Sequence, residues 1–194
     1  MANKRARFVA SGPNAQILKD LGLPEVAFIG RSNVGKSTLL GNILGQPKLV
    51  RTSRTPGRTQ LLNLFLYAEK IALVDMPGYG YAKLSKSKRN ELDKMVQGYL
   101  RNRKNIHGVV QVIDARRVPV STFDQYVSQF ILEQGHPLLL AITKIDQIPK
   151  NRRLHQIRSI ETQLGVPKGA GIACSGMTGE GKELLLKKLW ELTE

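Results

Sequence analysis

The sequence feature that most constrains this chain is the octapeptide at residues 30–37, Gly-Arg-Ser-Asn-Val-Gly-Lys-Ser. Before it stands Glu-Val-Ala-Phe-Ile at residues 25–29, a run typical of a short buried strand. After it, apolar residues recur at positions 39, 40, 43 and 44, the spacing of a helix packed on a sheet. A strand, a Gly-x-x-x-x-Gly-Lys-Ser loop and a helix in this order predict an α/β chain with a phosphate-binding loop.

Each residue type in this loop suits the chemistry of a polyphosphate. Gly30 and Gly35 permit a tight turn, and amides near positions 33–38 would face the phosphates at the positive end of the helix. Lys36 would reach the β and γ oxygens, and Ser37 would hold Mg²⁺. The predicted contacts are Gly30, Arg31, Ser32, Asn33, Val34, Gly35, Lys36, Ser37 and Thr38. The alternative, a chance glycine-rich turn, explains neither the flanking pattern nor the Lys-Ser pair.

A second motif, Asp-Met-Pro-Gly, follows the apolar run at residues 71–74. Since ligands of open α/β sheets bind at the carboxyl ends of strands, Asp75 should emerge beside the phosphate loop. There it could hold Mg²⁺ through water, while the Gly78 amide could meet a γ-phosphate. The predicted contacts are Asp75, Met76, Pro77 and Gly78. An ordinary turn after a strand is the alternative.

Two further segments indicate which base is bound. Thr143, Lys144, Ile145 and Asp146 follow the apolar run 138–142. The Asp146 carboxylate could accept hydrogen bonds from N1 and the exocyclic N2 of guanine, a donor pair that adenine lacks, while Lys144 would lie along the base. Farther on, the backbone amides of Cys174, Ser175 and Gly176 could bind the guanine O6. An ordinary Ser/Gly turn explains this last segment equally well.

Together these segments resemble the translation-factor-related GTPases, and most closely the EngB (YihA/YsxC) family of bacterial ribosome-biogenesis GTPases within the TrmE-Era-EngA-EngB-Septin-like superfamily. The most specific segments are Arg-Thr-Pro-Gly-Arg-Thr-Gln at residues 54–60 and Pro-Gly-Tyr-Gly-Tyr-Ala at residues 77–82. The resemblance extends from about residue 24 to the C-terminus. One departure is Thr143, where the general GTPase pattern has Asn; this position supports the loop and does not read the base.

The resemblance implies an α/β, three-layer P-loop NTPase (G-domain) fold with a mostly parallel six-stranded sheet and helices on both faces. Residues 24–194 would form the single G domain, with residues 1–23 as an N-terminal extension packed on it or flanking it. The apolar patterns agree, because strands alternate with helices. They predict a hairpin over residues 61–74 with Ala68 and Glu69 near its turn and a strand at 109–113. Predicted helices span residues 87–103, 121–134, 151–164 and 180–192.

Hydrolysis depends on segments that flank the phosphate site, residues 46–60 and 76–87, which should act as switch loops. The resemblance implies that Thr59 is the second protein ligand of Mg²⁺, although Thr52 and Thr55 are rivals. The implied nucleotide contacts in this segment are Gly57, Arg58, Thr59, Gln60 and Leu61.

Tyr79 follows Gly78, so the glutamine that orients the attacking water in many GTPases is missing and intrinsic hydrolysis should be slow. Either a partner or K⁺ would then complete the site. Asn33 occupies the position that coordinates K⁺ in similar potassium-activated GTPases, and a polar loop residue is its alternative role. The candidate catalytic residues are Lys36, Thr59 and Asn33.

Charge identifies the class of partner. The net charge is +15 with a sequence pI near 10.2. Residues 48–58 hold four basic and no acidic side chains, and residues 83–104 hold eight basic against two acidic ones. Because both clusters adjoin a switch, they predict RNA phosphate binding that depends on the nucleotide. A solvated charged face is the alternative for any single residue. Aromatic residues make up only 6%, which argues against a base-stacking binder of single strands.

These features predict an enzyme that hydrolyses GTP to GDP and phosphate with Mg²⁺. The resemblance implies ribosomal RNA and the large ribosomal subunit precursor as partners, and a requirement for normal cell division and septation. One alternative function is a signalling switch that acts on a protein partner without RNA, and another is a non-catalytic RNA-binding module that keeps GTP as a structural ligand. A single cysteine, Cys174, predicts no disulfide partner and fits a reducing bacterial cytoplasm. The longest apolar runs are too short to predict a membrane span.

Overall fold

The computed structural model describes residues 6–16, 18–50, 61–80 and 86–194 of the 194-residue chain. Seven strands are present: β1 (Ala6–Gly12), β2 (Glu25–Gly30), β3 (Leu62–Tyr67), β4 (Ile71–Asp75), β5 (Ile106–Asp114), β6 (Leu138–Thr143) and β7 (Gly171–Ala173). The helices are α1 (Lys36–Ile43), α2 (Lys86–Asn102), α3 (Thr122–Glu133), α4 (Lys150–Leu164) and α5 (Lys182–Thr193), with a 3-10 turn at Ile145–Gln147. In the described ranges, no helix is both long and apolar enough to cross a membrane.

The strands form one sheet in the order β1-β3-β4-β2-β5-β6-β7. Strands β4, β2, β5, β6 and β7 run parallel, whereas β3 is antiparallel to both β4 and β1. The carboxyl ends of the five parallel strands therefore meet at one edge of the sheet. This edge is where open α/β sheets place their ligand sites.

Both faces of the sheet are covered, which explains the almost continuous apolar strands. In β2, Val26 and Phe28 face a core shared with α1 and α5, whereas Ala27 and Ile29 face a core shared with α2 and α3. This alternation follows from the two-residue period of a strand. The result is the three-layer α/β fold predicted from the sequence.

The sequence prediction differs from the structure at one edge of the sheet. The sheet has seven strands, not six, because β1 pairs antiparallel with β3. The predicted hairpin is confirmed: residues 68–70 join β3 to β4, Ala68 and Glu69 have positive φ values of 53° and 56°, and the Lys70 amide donates to the Tyr67 carbonyl at 3.1 Å. The strand expected at 109–113 is longer, and the four predicted helices are confirmed with ends within two residues. The division of the chain at residue 24 stays a prediction.

A buried ion pair fastens the N-terminal segment to the sheet. Glu25, fully buried at the start of β2, accepts hydrogen bonds from Arg103 Nη2 at 2.5 Å and Tyr99 Oη at 2.7 Å. The same guanidinium donates to the carbonyls of Leu18 at 3.2 Å and Lys19 at 3.1 Å. Burial, with the nearby carboxylate, raises the pKa of Tyr99 well above its usual value, so this hydroxyl stays a donor. Arg103 thus joins α2, β2 and the N-terminal segment.

We expect Arg103→Met to lower the free energy of unfolding by about 3 kcal/mol, because the variant leaves the Glu25 carboxylate buried without its cation. Denaturant titration at neutral pH measures the change. Arg7→Met is the matched control, since Arg7 and Glu69 form an ion pair with side chains 57% and 69% exposed and should contribute less than about 1 kcal/mol. Equal losses in the two variants would contradict the assignment.

Candidate functional site

The loop between β2 and α1 has the backbone that its sequence predicts. Asn33 and Gly35 adopt left-handed conformations, with φ values of 64° and 96°. At Gly30 any side chain is excluded, because a Cβ atom would lie 2.6 Å from the Val112 carbonyl oxygen. The first turn of α1 has neither a side-chain cap nor an acidic residue. Its backbone amides are therefore left for an anion, which is how helix N-termini bind phosphates.

The second motif lies directly against this loop. Tyr79 N donates to the Gly30 carbonyl at 3.2 Å, and Ser32 N donates to the Tyr79 carbonyl at 2.9 Å. A Cβ atom at Gly78 would lie 3.2 Å from Ser32 N, so a larger residue would push the two backbone segments apart by a few tenths of an ångström. The structure therefore brings residues 75–78 together with the phosphate loop.

A buried lysine–aspartate pair forms the floor of this site. Lys36 Nζ pairs with Asp75 Oδ1 and also donates to the Met76 carbonyl at 2.7 Å. Both charged residues are buried, with 6% and 2% of their surface exposed. Ser37 is half-buried next to Lys36 at the start of α1. An ammonium and a carboxylate therefore lie together at the start of α1, where phosphate binding is predicted, and Ser37 is the next residue in the chain.

The segment after β6 is fastened to the phosphate loop. Thr143 Oγ1 donates to the Val34 carbonyl at 2.5 Å, so the threonine that departs from the general pattern does support the loop. Lys144, left-handed with φ 59°, donates through Nζ to the Asn33 carbonyl at 2.7 Å. Asp146 is half-buried, and its carboxylate has no hydrogen bond or ion pair with any residue that the structure describes. An unpaired carboxylate in this position is free to accept hydrogen bonds from a base.

The loop of residues 174–176 packs on α1. Asn42 Nδ2 donates to the Gly176 carbonyl at 2.6 Å, and a Cβ atom at Gly176 would lie 2.8 Å from Thr38 Cγ2. Ser175 Oγ accepts from the amides of Met177 at 3.2 Å and Thr178 at 3.1 Å, which holds the turn.

Cys174 is the chain's one cysteine and lies in the core. Burial raises the pKa of its thiol to about 12. The side chain is therefore a packed neutral group, and its contribution to a site would be through the backbone. The Cys174 carbonyl accepts from the Ile145 amide at 3.2 Å, which joins this loop to the segment after β6.

Sequence reasoning missed Asp114, the last residue of β5. Its side chain is fully buried and accepts hydrogen bonds from Arg116 Nη2 at 2.8 Å and Lys144 Nζ at 2.9 Å. Burial alone would raise its pKa, but the hydrogen bonds from Arg116 and Lys144 outweigh burial and lower the pKa to about 2. Asp114 therefore fixes the lysine that runs along the predicted base. The available signal was an aspartate directly after an apolar strand, the pattern already noted at Asp75.

Tyr79 turns away from the phosphate site. The residue is 5% exposed, and its hydroxyl donates to Asp124 Oδ1 at 2.8 Å on α3. Burial, followed by the Asp124 charge, raises the pKa of Tyr79 well above its usual value. Gln111 Nε2 and Ser128 Oγ continue this buried polar network, through bonds to the Asp124 carbonyl at 2.9 Å and 3.2 Å.

Several predicted site residues lie outside the described residues: Gly57, Arg58, Thr59, Gln60, and the rivals Thr52 and Thr55. Leu61, the last of that segment, is described and 40% exposed. Within the described part of the chain, no group of three or more His, Cys, Asp or Glu side chains could hold a metal ion. A metal at this site would therefore depend on hydroxyl, water and phosphate oxygens in addition to Asp75.

Comparison with known proteins identifies relatives of the whole chain. A family model described as "50S ribosome-binding GTPase" matches residues 25–144. A "Probable GTP-binding protein EngB" of Desulfatibacillum aliphaticivorans is 41% identical over 100% of this chain and 94% of that protein. A protein of the same description from Syntrophotalea carbinolica is 42% identical over 97% of this chain and 91% of its own length. A solved structure of a "probable GTP-binding protein engB" superposes with a TM-score of 0.75 at 28% identity, covering 87% of this chain and 98% of that one.

We expect Asp114→Asn to be less stable than wild type by about 2 kcal/mol at neutral pH, and the gap to close on acidification. The folded pKa of about 2 lies below the ordinary value of 3.8. The stabilisation is therefore complete above about pH 4 and is lost as the pH falls through about 2. Denaturant titrations at several pH values measure it. Glu133→Gln, which changes an exposed carboxylate on α3, is the control; a gap that does not vary with pH would contradict the role of Asp114.

Proposed function

Because this chain belongs to the EngB family of GTP-binding proteins, we propose that it uses GTP hydrolysis to control its binding to the large ribosomal subunit precursor. The chain is a GTPase with the P-loop fold of that family, and it converts GTP to GDP and phosphate. The partner and the roles of individual residues are the proposed part. The observation that carries the partner is the basic excess beside both predicted switch segments.

The nucleotide would lie along the carboxyl edge of the sheet. We propose that the amides of residues 33–38 and the Lys36 ammonium bind the phosphates. Lys144 would cover one face of guanine, with its ammonium already fixed by Asn33 and Asp114. Asp146, which has no partner among the described side chains, would accept from N1 and N2 of the base. The amides of residues 174–176 would bind O6.

Mg²⁺ fits the donor set at the phosphate end. It prefers oxygen ligands, keeps several waters and binds with substrate phosphates. Ser37 would ligate the ion directly, Asp75 would hold it through water, and Thr59 is the proposed second protein ligand. Bound Mg²⁺ would neutralise charge that develops on the phosphate oxygens. Lys36 contributes a second positive charge, held by Asp75 and the Met76 carbonyl at the same edge.

The chain carries no glutamine after Gly78, and Tyr79 points to α3. We propose that a monovalent cation supplies the missing charge stabilisation, with Asn33 as its protein ligand. Asn33 is exposed, and its left-handed backbone holds the side chain at the tip of the phosphate loop. A cation there would act where other GTPases use an arginine finger. Lys36, Asn33 and Thr59 are the catalytic residues of this proposal.

We expect replacement of Na⁺ by K⁺ to raise GTP hydrolysis by wild type more than about tenfold, a part of the roughly 10³–10⁵-fold that an arginine finger supplies. Asn33→Gly should remove the response, because glycine keeps the positive φ of 64° and lacks only the side chain. Phosphate release under single-turnover conditions measures both. A K⁺ response of equal size in the variant would contradict the role of Asn33.

The partner follows from charge. With a net charge of +15, this chain should bind a phosphate backbone, and binding should weaken steeply with salt because counterions are released. Most of the basic residues at positions 83–104 belong to α2, and this helix begins eight residues after Gly78. Nucleotide-dependent movement near Gly78 would therefore change how these charges are presented. Binding to ribosomal RNA in a precursor particle is the proposed outcome, with the family-implied requirement for division and septation as its consequence.

We expect charge reversal at Lys83, Lys86, Lys88 and Arg89 to weaken co-sedimentation with large-subunit precursor particles at least tenfold and to flatten its salt dependence. GTP affinity should stay near wild type. The matched control reverses four exposed charges on and after α4: Lys150, Arg152, Arg158 and Lys168. Equal losses of particle binding in the two variants would show that the charges near the switch make no special contact with the particle. Equal affinity for the particle with GTP and with GDP would contradict the proposed switch. No particle binding at all would favour a protein partner.

A further inference from the structure

A second pocket lies between α2 and α3, on the opposite face of the sheet from α1. It is a shallow depression that opens to solvent. Four aromatic side chains line it together with Asp93 and Gln97: Tyr79, Phe123, Tyr126 and Phe130. This lining combines apolar walls with a few polar groups, as the lining of a ligand site does. None of the proposed nucleotide contacts lines the pocket.

Asp93 is the polar group that a ligand would meet. It is half-buried in the pocket wall, and burial raises the pKa of its carboxyl. Where the structure describes the chain, Asp93 forms no hydrogen bond or ion pair. The fully buried carboxylates differ: Glu25, Asp114 and Asp124 all have partners. A half-buried carboxylate without a partner loses hydration and gains nothing in return, so a cation that entered the pocket would be favoured.

The aromatic walls suit the same ligand. Phe123 lies 5.0 Å from Tyr79 and 5.9 Å from Tyr126, and Tyr126 lies 6.2 Å from Phe130, between ring centroids. The face of an aromatic ring attracts cations, and arginine most often. One such contact is already present at the rim, where the Arg101 guanidinium lies 5.3 Å from the Phe130 centroid. The rings and the carboxylate thus favour a planar cation on an apolar stem.

We propose that this pocket binds an arginine side chain from a partner protein, with Asp93 as the counter-ion and Phe123 and Tyr126 as the ring contacts. The carboxylate disfavours a nucleic-acid phosphate, so the occupant is a protein and not RNA. The exposed Lys94 and Arg101 on α2 would repel an extended basic surface, so the partner would present a single arginine at this point. This inference goes beyond the proposed function and can be tested without nucleotide hydrolysis or ribosomal particles.

Tyr79 connects the pocket to the nucleotide site. Its ring is one wall of the pocket, while its backbone is hydrogen-bonded to Gly30 and Ser32 of the phosphate loop. A ligand that contacts this ring would therefore change the free energy of the segment that adjoins the phosphates. By linkage, nucleotide and arginine binding should then affect each other.

The test uses the full chain bound to GDP and the tripeptide acetyl-Leu-Arg-Leu-amide. Its counterpart with citrulline, a neutral analogue of arginine, is the comparison probe. Titration followed by NMR should show that the arginine peptide binds at least tenfold tighter than the citrulline peptide and shifts the Tyr126 ring signals. Asp93→Asn should remove that preference. Glu183→Gln, which changes an exposed carboxylate on α5, is the matched control and should keep it.

Equal binding of the two peptides by wild type, or a tenfold preference that survives in Asp93→Asn, would overturn the proposal. Phe123→Leu tests the ring contact separately and should lower the affinity for the arginine peptide at least threefold. An unchanged affinity would show that the pocket is not the site. The arginine peptide should also change the rate of GDP release at least twofold in wild type. An unchanged rate would overturn the link through Tyr79.

Discussion

The nucleotide site depends on the hydrogen bonds that join the phosphate loop to the segment after β6. Thr143 holds the Val34 carbonyl, and Lys144 holds the Asn33 carbonyl. Without these bonds, two carbonyls of the left-handed loop would need other partners, and the segment proposed to read the base would lose these contacts with that loop. With them, the groups proposed for phosphate and for base form one rigid unit. Rigid placement of this kind reduces the ordering that a ligand must impose when it binds.

A second constraint is the charge balance inside that unit. A lysine buried beside phosphate-binding amides would be costly without an anion, and Asp75 supplies one. In the proposed site, a magnesium–nucleotide complex would offer both side chains new partners at once, phosphate oxygens for Lys36 and a hydrated cation for Asp75. Exchange of partners leaves no buried charge uncompensated, which is the condition for binding without a large desolvation cost. The same logic applies to Lys144, whose ammonium is already neutralised by Asp114 before any base is present.

Much of this could be predicted from sequence because the decisive signals are local. The octapeptide, the apolar runs and the residues directly after each run placed three segments on one sheet edge, and the fold and the family follow from them. The missed features depend on pairs far apart in the chain. Asp114 and Lys144 are 30 positions apart, and Tyr79 and Asp124 are 45 apart. Strand β1 was missed because the residues of β3 with which it pairs lie 50 to 61 positions farther along the chain. Periodicity within a segment carries no information about such partners.

Tyr79 shows why a missing glutamine has a structural as well as a chemical meaning. A tyrosine at this position could in principle turn toward the phosphates, but its hydroxyl is held by Asp124, which also caps α3 by accepting from the Ser121 amide. Moving the ring out would leave the Asp124 carboxylate short of a buried donor and would open the space beside Phe123. The residue that replaces glutamine therefore serves the packing of α3 against the sheet. Because the Tyr79 side chain is held there, the groups that orient water must come from outside this position.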